Sequence, residues 1–241
     1  TLIGSATVNT QLGYSHVDHL MDNFSQRLAP PSAMMFRANR AIARQHNWRF
    51  ETQLPTAGGT FSLGVDGNSS VHNSKISNPN NPVFSVHNFN NTTRDIYGVF
   101  AQWQGNVADW SLSSGVRYNR VESDADRVSV NGMTGLMATN VATLVDRFNN
   151  AERNKIDHNV DLVVEAATDL SRSLQLQLAA AIKNRAPSYQ ERYLWLPLTA
   201  TGGLADGRNY IGNLALDSET AQEVTAGPVS YTHLRAHETR P

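Results

Sequence analysis

The chain has no cysteine. That excludes a disulfide framework and any thiolate-held metal site within these residues. It also lacks an apolar run of the roughly eighteen residues that a membrane-crossing helix requires, and its mean hydropathy is −0.40. Excess charge of either sign is missing too. With 20 Lys and Arg against 21 Asp and Glu, it carries no basic footprint of the kind a nucleic acid demands, and nucleic acid is not an expected partner. No nucleophile stands with a base in a supporting motif, so the chain does not read as an enzyme.

What the chain does have is alternation. From Ile156 to Ala167, Ile156, His158, Val160, Leu162, Val164 and Ala166 alternate with Asp157, Asn159, Asp161, Val163, Glu165 and Ala167. A polar turn, Asp169-Leu170-Ser171-Arg172, follows, and then Leu174, Leu176, Leu178, Ala180 and Ile182 alternate with Ser173, Gln175, Gln177, Ala179 and Lys183. A period of two held this long, twice, with a tight turn between, predicts a long amphipathic hairpin. Strands of soluble sheets usually run about five or six residues. A transmembrane β-barrel explains the excess, because each tilted strand must cross the bilayer with one face on lipid and one on the lumen. Alternation also halves the mean hydropathy, so the lack of an apolar run does not count against a barrel.

Eight such segments can be marked. Val8, Leu12 and Tyr14 lie on one face of the first, about 4–21, and Ile42, Trp48, Phe50 and Leu54 on one face of the second, about 41–54. Phe61, Leu63 and Val65 begin the third, and Tyr97, Val99, Ala101 and Trp103 mark the fourth. Trp110, Leu112, Val116 and Tyr118 mark the fifth; the hairpin supplies two more, and 214–226 the eighth. Tight turns are expected near 55–59, 105–108 and 169–172, and long polar loops at about 22–40, 67–92, 122–155 and 185–212. Short turns at one rim and long loops at the other are the mark of bacterial outer-membrane barrels. Trp110 and Tyr118 share a face eight residues apart, roughly 26 Å along a strand, which suits a lipid-facing band about 25 Å tall bounded by aromatic girdles. A β-sandwich with buried tryptophans is the competing fold, and loops gathered at one end speak against it.

The chain begins at Thr1 without an initiator Met or an export signal. An outer-membrane protein needs export, so a longer gene product is expected. Residues 228–241 abandon the alternation, and VSYTHLRAHET resembles translated adaptor sequence. The expected division is therefore a partial barrel over 1–227 and a non-native tail over 228–241.

The stretch Asn184-Arg185-Ala186-Pro187-Ser188-Tyr189-Gln190-Glu191-Arg192-Tyr193-Leu194-Trp195, running on through Thr201-Gly202-Gly203 to Tyr210-Ile211-Gly212-Asn213, resembles the TonB-dependent outer-membrane receptors. Val17-Asp18-His19-Leu20-Met21-Asp22-Asn23-Phe24 resembles a barrel segment of their copper-receptor subfamily. The resemblance implies an all-β fold: an antiparallel up-and-down transmembrane barrel of about 22 strands around a plug, of which this chain holds roughly eight strands and no plug. It implies uptake of copper, or a copper complex, across the outer membrane of a Gram-negative bacterium. Outer-membrane lipid and a TonB-type energising complex, reached through the plug region, are the implied partners. In that subfamily a His-x-Met on a barrel strand joins a Cys and a Met of the plug. The matching residues are His19 and Met21, with copper the transported ligand rather than a resident cofactor. Soft thioether and imidazole donors suit this metal. Spacing of two puts both on one face, and their odd parity opposes Val8, Leu12 and Tyr14, which places them toward the lumen. A siderophore or cobalamin receptor of the same fold, or a small structural barrel, are the alternatives.

Other candidates carry less. Met34-Met35 could attract a soft metal or cover an apolar patch. His16 reads as outward or interfacial, while His46, His72 and His87 are dispersed with no helix-borne pair. Glu122, Asp124 and Asp126 could offer oxygen ligands to Ca²⁺, though a solvated loop start is the plainer reading. Gly202, Gly203 and Gly207 read as turn residues, since no helix follows to cradle a phosphate.

Overall fold

A computed structural model describes residues 6–196 and 210–230. The backbone is an antiparallel sheet in up-and-down order. Its strands are β1 (Thr7–Asp22), β2 (Ala38–Thr56), β3 (Gly59–Asn78), β4 (Asn81–Val107), β5 (Trp110–Asp124), β6 (Val130–Asn131), β7 (Lys155–Ser171), β8 (Leu174–Arg185) and β9 (Glu219–Ser230). The path runs β1-β2-β3-β4-β5-β7-β8-β9, with the two-residue β6 added beside β4. Among the described residues β1 and β9 do not pair, so the sheet is open. β9 stays in register with β8 through Leu174 opposite Ser230. The long hairpin forms as its alternation predicts, with Leu162 opposite Ile182 and Ala166 opposite Leu178.

Register carries one apolar face across the whole sheet. Leu12 lies opposite Trp48 and Trp48 opposite Gly67. Gly67 in turn faces Tyr97, and on the next strands Val116 faces Leu162. These side chains are not covered by protein: Leu12 is 74% exposed and Val164 53%. The opposite face presents Gln53, Glu51 and Arg49 on β2, Asp66 on β3, Arg117 on β5, and Asp161 and Glu165 on β7.

Three turns at one rim are two-residue connections: Ala57-Gly58, Ala108-Asp109 and Arg172-Ser173. Gly58 (φ 82°) and Ala108 (φ 50°) hold the left-handed conformation that tight hairpins demand. The other rim departs from expectation. Residues 67–92 are not a loop; β3 and β4 continue through them and join at the two-residue turn Pro79-Asn80. Their polar composition hides the strands because beyond the apolar band neither face meets lipid, so no alternation is selected. Asn73 marks a break in register. Its side-chain oxygen accepts from the Asn91 N–H at 2.8 Å, and Asn91 takes a φ of 45°, a bulge that bends the hairpin.

The remaining long connections carry helices. α1 (Gly135–Asn150) lies between β6 and β7, and α2 (Tyr189–Tyr193) between β8 and β9. Together they bury an apolar cluster against the upper part of β3 and β4: Phe148 of α1, Tyr193, Trp195 and Leu196 of the second connection, and Ile76, Phe84, Val86 and Phe89 of the hairpin. The core of this molecule therefore sits at the long-loop rim.

Candidate functional site

The polar face is the candidate ligand-facing wall, and the long connections identify it as the inner one by folding onto it. Arg192 of α2 makes a fork to Asp157 of β7 at 2.6 and 2.7 Å, with both side chains buried. The Tyr189 ring stacks on His72 of β3 at 4.1 Å, and the Trp195 indole N–H donates to the His87 carbonyl at 3.1 Å. At the foot of α2, Ser188 and Glu191 form a reciprocal cap, and Glu191 also pairs with Arg185 at 2.8 Å. The Arg185 guanidinium and the capping N–H hold the Glu191 carboxyl down at about 2, while burial pushes the Tyr193 phenol up.

Lower on the wall, three strands meet in a charged cluster. Arg117 forks to Asp66 at 2.8 and 2.5 Å, and Arg49 reaches Asp66 at 3.5 Å and Glu51 at 2.7 Å. Both guanidiniums lie over the Phe100 ring, at 4.3 and 5.8 Å. Phe100 can lie across β3 because Gly64 beneath it has no Cβ to meet the ring. A groove of about 370 Å³ is lined by Arg49, Phe100, Arg117, Asp161, Glu165 and Lys183. Within the cluster, Phe100 and Asp66 carry no local sequence signal; they are found only through register.

His19 and Met21 share the inner face of β1, where the strand enters its long connection. They lie opposite Ala41 and Asn39, and Met21 is 45% exposed. Asn39 is itself held by the Ser74 hydroxyl, which donates to its side-chain oxygen at 2.8 Å. Both donors are exposed on that face. His72 lies on the same face two strands away, opposite Ala43, roughly 12 Å off at the usual strand spacing and rise. Its stacking on Tyr189 commits it elsewhere.

The other candidates separate. Tyr14 and His46 are neighbours on the apolar face at 4.9 Å. His87 meets the Ser129 hydroxyl at 2.8 Å. Glu122 pairs with Arg120, and Asp124 accepts from the Ala125 N–H. Among the described residues no three His, Cys, Asp or Glu side chains gather as a metal cluster. Met34 and Met35 lie exposed in a single 3₁₀ turn, while Gly202, Gly203 and Gly207 fall outside the described residues.

Compared with known families, residues 2–235 match the model described as TonB-dependent receptor-like, β-barrel. The chain belongs to this family. It is a family of outer-membrane receptors and transporters, not of enzymes. No curated protein sequence matches the chain. Among solved structures it is similar to one titled copper transporter OprC, with a TM-score of 0.67 and 18% identity. That match covers 94% of this chain and 34% of the other, so the chain spans about a third of its length. Likeness at that identity concerns the fold. For a receptor barrel, the apolar face is the lipid face and the polar face the lumen wall. Trp103 and Trp110 mark the short-turn girdle, and Tyr14, Trp48, Tyr97 and Tyr118 the other. No described helix is long and apolar enough to cross a membrane; strands do the crossing.

Proposed function

We propose that the chain is part of an outer-membrane receptor that takes up copper or a copper complex, with His19 and Met21 as donors on the barrel wall. The observation that carries this reading is the pairing of an imidazole and a thioether on one lumen-facing strand end, in a fold similar to a protein titled copper transporter. Two donors do not make a tight site. Plug residues of the full receptor supply the rest, soft ones favouring Cu(I), and a TonB-type partner drives release. A siderophore or cobalamin complex is the second reading, and the groove lined by Arg49, Phe100 and Arg117 would be its place on the wall.

The test is copper uptake and bound-metal stoichiometry in the full-length receptor carrying His19→Ala, Met21→Ala or both. Each single change is expected to weaken binding, with Met21→Ala hurting Cu(I) more than Cu(II). Assembly should persist, because lumen substitutions tune selectivity more than stability. Undiminished copper binding in the double variant removes the assignment, and loss of ferric-siderophore uptake instead establishes the second reading.

A further inference from the structure

Beneath α2 the inner wall holds polar atoms that the contacts described so far leave unused. α2 is pinned at both ends: Tyr189 stacks on His72 of β3, and Arg192 forks to Asp157 of β7. The strip of β4 and β5 between those anchors carries Thr92, Arg94 and Ser123 on the inner face. Thr92 lies opposite His72, and Arg94 opposite Ser123. Two residues along from Ser123, Val121 lies opposite Asp157. The Cα atoms of Arg94 and Ser123 are therefore about 5 Å apart, with Thr92 about 7 Å along the strand. Thr92, Ser123 and Arg192 are 1%, 2% and 3% exposed. Yet Thr92 Oγ1, Arg94 Nε, Ser123 Oγ and Arg192 Nε are all buried with no hydrogen-bond partner among the described residues. Buried polar atoms are seldom left unpaired, and four along one strip call for a shared partner.

Charge decides what that partner is. The Arg94 guanidinium makes no ion pair and no hydrogen bond among the described residues. Asp157 and Glu191 are the carboxylates within its electrostatic range, beside the cations Arg192 and Arg185. Both Asp157 oxygens are taken by Arg192, and both Glu191 oxygens by Arg185. Arg94 is thus the cation of this group left without a counter-ion, and burial makes that costly. A guanidinium Nε–H only donates, and each hydroxyl can donate too, so the four atoms together suit a negatively charged acceptor. Water would satisfy the hydroxyls but leave the Arg94 charge unanswered. The near-complete burial of Thr92 and Ser123 leaves no room for a bulky oxyanion or for the carboxylate of a passing ligand. We infer that the strip beneath α2 binds a small monovalent anion of chloride size, held by Arg94 Nε, Ser123 Oγ and Thr92 Oγ1, with Arg192 Nε on the roof. Such an ion would fasten the second long connection to the wall. The inference does not rest on the identity of the cargo.

Bromide, a heavier halide of the same charge, is the probe. Crystals of the full-length receptor grown in sodium bromide are expected to show an anomalous peak beneath α2, within hydrogen-bonding reach of Arg94 Nε and Ser123 Oγ. In solution, amide exchange of residues 186–196 should run roughly tenfold faster in gluconate than in chloride at equal ionic strength. That is the factor for an anion present at about ten times its dissociation constant. Arg94→Gln should lose both the peak and the chloride dependence. Ser123→Ala, which keeps the charge, should weaken both, and Arg120→Gln on the outer face should change neither. Wild type alone decides the question if a variant fails to assemble. Density for water without an anomalous signal overturns the anion. A bromide peak with no chloride dependence of exchange marks an adventitious ion only and overturns the site, and persistence of both in Arg94→Gln overturns the assigned donor. Copper binding is measured separately, so either reading can fail alone.

Discussion

At the scale of single residues, the Asp157–Arg192 fork is the contact on which the inward fold of the second long connection depends. Both side chains are buried, 8% and 3% exposed, so deleting either leaves the other charge buried without its counter-ion; Arg192 would keep only its bond to the Leu216 carbonyl at 2.7 Å. Such a loss costs on the order of 3–5 kcal/mol. Arg192→Ala is expected to loosen residues 186–196 selectively, seen as faster amide hydrogen exchange there with β2–β5 unchanged. Asp157→Ala/Arg192→Leu, which removes both charges, should be milder than either single deletion. Glu191 adds a pH dependence. Its folded carboxyl titrates at about 2, below the ordinary 4.5. The stabilisation is therefore complete above pH 4.5 and is lost as the pH falls through about 2. Exchange protection of the same segment should hold between pH 7 and 5 and decline in acid; Glu191→Gln should abolish that decline by removing the protection at every pH.

Elements are decided by what each face touches. Within the apolar band, strands show strict alternation because lipid lies on one side and the polar lumen on the other. Val164 sits midway between the levels of Trp110 and Tyr118, so Val164→Arg places a charge near the bilayer midplane at a cost of about 2–4 kcal/mol. Glu165→Gln, one residue along on the lumen face, should change stability by less than about 0.5 kcal/mol. Urea unfolding of the receptor in lipid vesicles separates the two. Glycines permit aromatic crossings on both faces: Gly67 lies under the Trp48 indole as Gly64 lies under Phe100, and an added Cβ would sit 2.5 Å from Trp48. Gly67→Val is expected to eject that indole from its place in the girdle, which near-UV circular dichroism would register as lost tryptophan signal. Above the band the logic of alternation ends, and β3 and β4 persist on pairing and on the cap packed against them.

For the whole molecule, the open sheet has consequences of its own. β1 and β9 each leave one edge without a partner among the described residues, and the apolar face stays exposed from β1 to β8. Exposed edges and a broad apolar face are together a template for strand addition. Produced alone without detergent or lipid, these 241 residues are expected to aggregate. A soluble monomer by light scattering would contradict the assignment of the apolar face to lipid.

Within the band, the amino-acid order alone determined the strands, their faces and the three tight turns, because lipid and lumen impose opposite demands on neighbouring residues. Parity likewise placed His19 and Met21 on one polar wall, and the family was legible in the stretch from Asn184 to Asn213. The continuation of β3 and β4 through 67–92 was not legible, since water and a polar cap make no contrast between odd and even positions. Nor were the joining of Asp66, Phe100 and Arg117, the Asp157–Arg192 fork, or the gathering of Thr92, Arg94 and Ser123 beneath α2. Each of these brings together residues from separate strands or connections, and only the register of the folded sheet and the inward turn of its long connections decided which of them meet.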